Sequence, residues 1–380
     1  MKGLVLEEDG KLAYRDLESG GGPSRTVHDK KTGIGLPDGV FRPTPFCGKP
    51  YLVKVAAAGV CGSDIPRAFS GGSYLYPLVL GHEFSGTVVE APHDGAISAG
   101  TGVAVFPLLP CGRCESCATG DYALCADYDY FGSRRDGGFR EYVTVPEFNL
   151  LPVPDDVPLL HAAMTEPCAV ALHGVRRMRI EPGMSGAVIG GGPIGNMAAQ
   201  WLRIAGCDPV FVVDIDREKL EIARQMGFVT VDGSSTNPVE AITDATAGRG
   251  ADCVIEACGL PKTAAQSLDV AAKFGQVVLM GNLHGTLSIH ESAYTTILRR
   301  ELKVFGTWNS KYVPPGSSDW HVVLNHLGKD LRVEPLISHT PTLPEGPEIL
   351  RKMSGKDTSQ THGSAGGRRK SFNKVIFRVS

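Results

Sequence analysis

Cys111, Cys114, Cys117 and Cys125 form a C-x2-C-x2-C-x7-C ladder inside PLLPCGRCESCATGDYALC. Four thiolates on a short Gly- and Pro-containing loop are the ligand set of a closed, tetrahedral structural Zn2+ site. Four ordinary buried thiols are the plainer alternative, but chance rarely spaces four cysteines this closely in a chain otherwise sparing of them. The other six cysteines are scattered, and the opening Met1 to Leu6 run reads as a first strand and not as a secretory leader. A disulfide framework is therefore not expected.

A second constellation is Gly190-x-Gly192-x-x-Gly195, with Pro193 and Ile194 between the last two glycines. It lies between the strand-like GAVI and a helical run, the context in which this motif holds a dinucleotide. Gly190 permits the tight turn, Gly192 lets a pyrophosphate approach the backbone, and Gly195 lets helix and strand pack closely. The free amides of the helix N-terminus then face the anion. Nineteen residues past Gly195 stands Asp214, whose carboxylate can accept both ribose hydroxyls and would repel a 2'-phosphate, so NAD is expected in preference to NADP. Arg217 is read as a surface helix charge.

The elements that must carry these groups follow two patterns. Up to about residue 160 the chain has short β-branched runs broken by Gly and Pro, among them YLVKVAAAGV, FSGTVVEA and TGVAVFPL, the pattern of a barrel-like β domain. From about residue 170, strand and helix alternate through GAVIGGGPIG, PVFVVDIDREKLEIARQMG, DCVIEACG and GQVVLMGN, which predicts a parallel, doubly wound sheet. In the helix after the first of these strands, Ile194, Met197, Ala198, Trp201, Leu202 and Ala205 recur at three- and four-residue steps. That face packs on the sheet and makes Trp201 a core residue. The final SFNKVIFRVS is strand-like and is expected to return to the first domain.

At 380 residues two domains are the natural division. A net charge of −3, with no basic tract longer than Arg368 to Lys370, argues against nucleic acid or an anionic membrane as partner. No window reaches the ~18 apolar residues of a membrane span, and a cytoplasmic protein with reduced thiols is expected. Two stretches, about Glu18 to Gly48 and Gly355 to Lys370, lack apolar periodicity and read as exposed insertions.

Taken singly, Cys61 in GVCGSD, His82 in LGHEFSG and Glu166 in MTEPCAV would pass for packing residues. Together with the cysteine ladder, the GGGPIG turn and the acid of DID, in this order, they resemble the zinc-dependent medium-chain dehydrogenases. The segments CGSDIPRAF, YPLVLGHEFSG, FGSRRDGGF, LRRELKVFGTW and VEPLISH are most similar to the galactitol-1-phosphate 5-dehydrogenases and related bacterial polyol dehydrogenases.

The resemblance implies an α/β Rossmann domain at 170–308 and a β-rich GroES-like catalytic domain at 1–169 and 309–380, with the structural zinc lobe at about 105–130. It implies two Zn2+ per chain, one held by the ladder and one catalytic, the latter on Cys61, His82 and Glu166 with an open fourth position. Glu83 would stand behind His82 or serve as an alternative ligand. Ser63 would hydrogen-bond the substrate hydroxyl and begin moving its proton outward. Pro66 replaces the histidine with which many relatives continue that relay, and Thr101 replaces a customary Asp.

The implied reaction is NAD-dependent oxidation of a polyol phosphate, galactitol 1-phosphate to tagatose 6-phosphate, in a homodimer or homotetramer. Arg67, Arg134, Arg135, Arg299 and Arg300 are candidates for a phosphate clamp, with structural ion pairs as the alternative for at least half of them. Asp64 is read as supporting the site and not as catalytic. The other readings are an unphosphorylated polyol or secondary-alcohol dehydrogenase of the sorbitol or butanediol type, and a catalytically silent relative.

Overall fold

A computed structural model describes residues 1–8, 10–17, 44–313, 318–355 and 372–379 of the protein. The insertions expected at 18–48 and 355–370 fall outside these residues except for 44–48 and Gly355. The chain forms two compact units, one of residues 1–166, 312–327 and 337–380, the other of 167–311 and 328–336.

The first unit is built on antiparallel pairing. Its principal sheet runs in the order Leu150–Pro152, Gly102–Val105, Glu83–Glu90, Pro50–Gly59, Lys374–Arg378, Ile337–His339, and Tyr142–Pro146 also pairs with Pro50–Gly59. Along Pro50–Gly59 burial follows the period of two that a half-buried strand requires: Tyr51, Val53 and Val55 are fully buried while Lys54 is exposed. They join Leu4, Phe84, Val103, Phe139 and Phe377 in one apolar core. The terminal strand Lys374–Arg378 pairs antiparallel with Ala57 to Gly59, closing the sheet with residues more than 300 positions away in sequence.

The second unit is a six-stranded parallel sheet. Its spatial order is Val229–Asp232, Val210–Asp214, Gly186–Ile189, Ala251–Glu256, Ala271–Leu279, Lys303–Gly306, so in order of appearance the strands run 3-2-1-4-5-6. This is the doubly wound Rossmann order. Its central strands are continuous apolar runs because a parallel sheet is covered on both faces: all of Gly186–Ile189, and Val210 to Val213, are buried. The helix Pro193–Ile204 starts with Pro193 at a position where its missing N–H costs nothing. Trp201 is buried on its apolar face and donates its indole N–H to the Cys168 carbonyl at 3.0 Å, the core role its spacing implied.

Residues 328–336 differ from the sequence expectation, which placed them with the β-rich domain; they belong to the second unit. The Gln200 side chain ties the segment there, donating to the Arg332 carbonyl at 3.0 Å and accepting the Arg332 N–H at 2.7 Å. The end of the first insertion is also less loose than its composition suggested. Phe46 packs its ring on Tyr122 and Phe148, with centroids 5.1 and 4.6 Å apart.

Candidate active site

The four ladder cysteines converge. One sulfur from each lies within 4.8 Å of the others, on a loop that contains only the short helix Glu115–Ala118 and the turn Tyr122–Leu124. Cys114 Sγ lies 3.5 Å from Cys117 Sγ, and the Cys111 N–H donates to Cys125 Sγ at 3.3 Å. Backbone N–H groups of Ala126 and Cys117 hold the Cys114 thiol down at about 6, so it is readily a thiolate. Four convergent sulfurs with amide support fit a tetrahedral Zn2+ and leave no position for substrate.

A second cluster forms where two strands of the β unit leave the sheet together. Gly59 and Glu83 are partners across the antiparallel ladder, so Cys61 and His82 emerge at the same end. A Cβ at position 59 would collide with the Glu83 carboxylate, which is why glycine occupies that strand. Cys61, His82 and Glu83 offer ligand atoms within 4.8 Å of one another. Glu166, the expected third ligand, stands outside this set. It accepts the Tyr130 hydroxyl at 3.3 Å, although it is close enough for the charges of His82 and Glu83 to act on it.

Buried charge surrounds the cluster. Asp64 is fully buried, accepts the Cys61 N–H at 3.0 Å, and lies 3.6 Å from His82 Nδ1, an ion-pair contact slightly longer than a hydrogen bond. Burial alone would lower the imidazole pKa, but Asp64 and Cys61 hold it well above its usual value. A carboxylate behind a histidine, with a thiol and a further carboxylate in front, is a donor set that fits a zinc with an open position. Lys374, reaching in from the C-terminal strand, donates to the Val60 carbonyl at 3.0 Å and pairs with Glu83.

Ser63 donates to Cys61 Sγ at 3.3 Å and accepts from Arg67 Nη1 at 2.7 Å. Of the other arginines considered for a phosphate, Arg135 is buried against Asp129 at 2.8 Å. Arg300 donates to the Asp269 and Ala271 carbonyls at 2.9 and 2.5 Å. Arg299 is exposed at the end of helix Glu291–Arg299 in the second unit. Arg134 lies half-buried over the Tyr128 ring, 4.0 Å from its centroid, and 5.3 Å from that of Tyr74, with one donor on the Tyr128 carbonyl.

In the second unit, Gly190 and Gly192 lie in the turn after strand Gly186–Ile189, and Pro193, Ile194 and Gly195 open the helix Pro193–Ile204. A Cβ on Gly195 would strike the Gly190 carbonyl, whereas one on Gly192 would meet nothing within 4 Å. The turn is thus tight behind and open in front, the cradle a pyrophosphate needs. Asp214 ends the next strand, its Oδ2 accepting the Gly191 N–H at 2.7 Å and its Oδ1 the Asp216 N–H at 2.9 Å. Arg217 pairs with Asp232 at 3.2 Å on the surface.

These two sites agree with what the chain is similar to. The family model "Alcohol dehydrogenase GroES-like domain" matches residues 49–155, and "Zinc-binding dehydrogenase" matches 193–329. Galactitol 1-phosphate 5-dehydrogenase of Escherichia coli K12 is 35% identical over 306 residues, 80% of this chain and 88% of the relative. The chain belongs to the zinc-dependent medium-chain dehydrogenases. The crystal structure of galactitol-1-phosphate dehydrogenase from Escherichia coli matches with a TM-score of 0.82 at 30% identity, covering all of both chains. Sorbitol dehydrogenase of Halalkalibacterium halodurans is 32% identical over 311 residues, 80% of this chain and 88% of the relative. A putative zinc-binding dehydrogenase from Sinorhizobium meliloti, bound to NADP, matches with a TM-score of 0.79 at 30% identity, covering 99% of this chain and 98% of that one.

Sequence reasoning about this medium-chain dehydrogenase missed Tyr130 and Lys374. Neither stands in a ligand-like motif; a lysine in the otherwise apolar run KVIF is the sole hint of the second. Replacing Lys374 by Met leaves the Glu83 carboxylate buried without its counter-ion, which is expected to destabilise the dehydrogenase by about 3–5 kcal/mol. Urea denaturation of zinc-free protein reads this, and the added change Glu83→Gln should restore most of the loss.

Burial pushes the Glu166 carboxyl up to about 7; the His82 charge pulls the other way and Glu83 adds to the rise. The metal-free fold of the dehydrogenase therefore keeps a proton that the unfolded chain releases near the ordinary glutamate value of 4.5, and its stability falls as pH rises from there through about 7. If Glu166 is a ligand, it must bind as the carboxylate, and zinc affinity is then expected to climb with pH across the same window. Chelator competition measures it, and a Glu166→Gln variant should show a shallower climb.

Proposed function

We propose that this chain is a zinc- and NAD-dependent polyol-phosphate dehydrogenase that oxidises galactitol 1-phosphate to tagatose 6-phosphate. The observation that carries the reading is the convergence of Cys61 and His82, with Ser63 and Glu166 beside them, in a chain 35% identical to a galactitol 1-phosphate 5-dehydrogenase. Cys61, His82 and Glu166 would hold the catalytic zinc, with Glu83 as the alternative carboxylate that the 4.8 Å cluster favours. Cys111, Cys114, Cys117 and Cys125 would hold the second, structural zinc.

A zinc at Cys61 and His82 supplies a Lewis acid for the oxygen of a secondary alcohol, and NAD supplies the hydride acceptor. The protein's own part is placement. Asp64 fixes the His82 ring, and Ser63 presents its hydroxyl on the Cys61 side to hydrogen-bond the substrate oxygen. The proton released by the alcohol goes to water, because Pro66 has no group to take it. Arg134, half-buried beside Tyr74 and Tyr128 with one donor on the Tyr128 carbonyl, would meet the phosphate end. Gly190, Gly192, Pro193, Ile194 and Gly195 would cradle the pyrophosphate, and Asp214 the adenosine ribose, which supports NAD over NADP.

The two units would divide the work, 1–166, 312–327 and 337–380 serving the substrate and 167–311 with 328–336 the cofactor. A second copy would cover the exposed edge strand Lys303–Gly306, where Val304, Phe274, Tyr294 and Leu298 are 40 to 69% exposed, giving a homodimer or, by a further pairing, a homotetramer. All ten cysteines are free thiols, which suits a reducing cytoplasm, and no helix among the described residues is long and apolar enough to cross a membrane.

Zinc-replete protein supplied with NAD and, in parallel, NADP tests the reading against galactitol 1-phosphate, galactitol, sorbitol and butanediol. Preferential NADH formation from the phosphorylated polyol is expected. Equal turnover of free and phosphorylated polyols would favour the sorbitol-type alternative, which the 32% identical sorbitol dehydrogenase supports. No reduced cofactor from any substrate, with zinc bound, would mark a silent relative.

A further inference from the structure

We propose that Arg67 is a positioning residue that fixes the direction of the Ser63 hydroxyl, and that it is not part of a phosphate clamp. This rests on the dehydrogenase reading above. A closed ring of hydrogen bonds joins the seven residues from Cys61 to Arg67. The Cys61 N–H donates to Asp64 Oδ2 at 3.0 Å, Arg67 Nη1 approaches Asp64 Oδ1 at 3.4 Å and donates to Ser63 Oγ at 2.7 Å, and Ser63 donates back to Cys61 Sγ at 3.3 Å. The helix Asp64–Phe69 makes the ring possible by placing Asp64 and Arg67 on one face, three residues apart.

The chemistry of the two side chains then sets a direction. Serine has one proton and two lone pairs, while a guanidinium has donors only and stays charged. With Arg67 occupying one lone pair through a short, charge-assisted bond, the Ser63 proton cannot lie on the arginine side. It points toward Cys61, where the substrate oxygen would be held. The Pro66 side chain has no group to take a proton, and its carbonyl already accepts the Ser70 and Gly72 N–H groups, so it offers Ser63 no relay along this helix. Ser63 is therefore a fixed donor that stabilises negative charge on the substrate oxygen, and Arg67 acts through it. Arg67 is also poorly placed to serve a phosphate, since its side chain is 18% exposed and its Nη1 is committed to Ser63 and Asp64.

The test is a double-mutant cycle on kcat with Arg67→Gln, Ser63→Ala and the pair, together with a crystal structure of Arg67→Gln. Arg67→Gln is expected to lower kcat by about 10–100-fold, the usual effect of losing a group that orients a reacting one. Zinc content and KM for NAD should not change, and Arg67→Lys should recover part of the loss. In the Ser63→Ala background the same change should cost nothing further, because the effects of residues that act as one unit do not add. The crystal structure should show Ser63 Oγ out of hydrogen-bond contact with Cys61 Sγ. Effects that multiply in the double variant, a loss confined to KM for the phosphorylated polyol, or an unmoved Ser63 would each overturn the proposal. If the wild-type protein turns over no polyol, the dehydrogenase reading fails while the crystallographic arm still decides the role of Arg67.

Discussion

Changing Cys61 to Ala is expected to lower kcat/KM by at least about 10³-fold, corresponding to the several kcal/mol that a Lewis acid contributes to stabilising charge on the reacting oxygen. The reason is local. Cys61 would be the soft ligand of its cluster, and it stands at the end of strand Pro50–Gly59, whose pairing with Glu83–Glu90 carries His82 to the same place. The fold should survive, because Cys61 is half-exposed at the sheet's end and is no member of the apolar core. Metal analysis should then find one zinc per chain in place of two, with NAD affinity retained by fluorescence titration. A variant that kept both zinc and activity would place the catalytic metal elsewhere.

The second large effect is on stability. Cys114→Ser removes a thiolate from a lobe whose element between Leu109 and Asp129 is little more than two short turns, with the strand pair Leu108–Leu109 and Asp129–Tyr130 at its base. Such a loop has too little apolar burial of its own to stay ordered, so loss of the structural ion is expected to cost more than about 4 kcal/mol. Differential scanning calorimetry of zinc-loaded variant and wild type measures it. The damage should spread to the site, because Asp129 pairs with Arg135 and Tyr130 holds Glu166. An unchanged melting temperature would show that the ladder is not a structural metal site.

Much of this was legible in the sequence because the signals are local. A ladder of four cysteines within fifteen residues, a glycine turn opening a helix and an acid closing the next strand each report themselves through spacing. The 3-2-1-4-5-6 sheet follows from the alternation of apolar strands and amphipathic helices. What stayed hidden depends on contacts that spacing does not encode. Lys374 reaches Glu83 across 291 residues, and Tyr130 reaches Glu166 across 36, each through the register of strands or turns that no local pattern specifies. Arg67 was visible as a charge, but its commitment to Ser63 and Asp64 depends on rotamers. Residues 328–336 were placed with the other unit because ties such as that of Arg332 to Gln200, 132 residues away, leave no local pattern.

The division between a bracing zinc and a reacting zinc is the centre of this account, and anomalous diffraction at the zinc edge from crystals of the metal-loaded protein tests it most directly. Two peaks per chain are expected, one surrounded by Cys111, Cys114, Cys117 and Cys125, the other beside Cys61 and His82 with a Glu166 or Glu83 carboxylate and an open position. A single peak at the cysteine ladder, with Cys61 and His82 bare in zinc-saturated crystals, would contradict it.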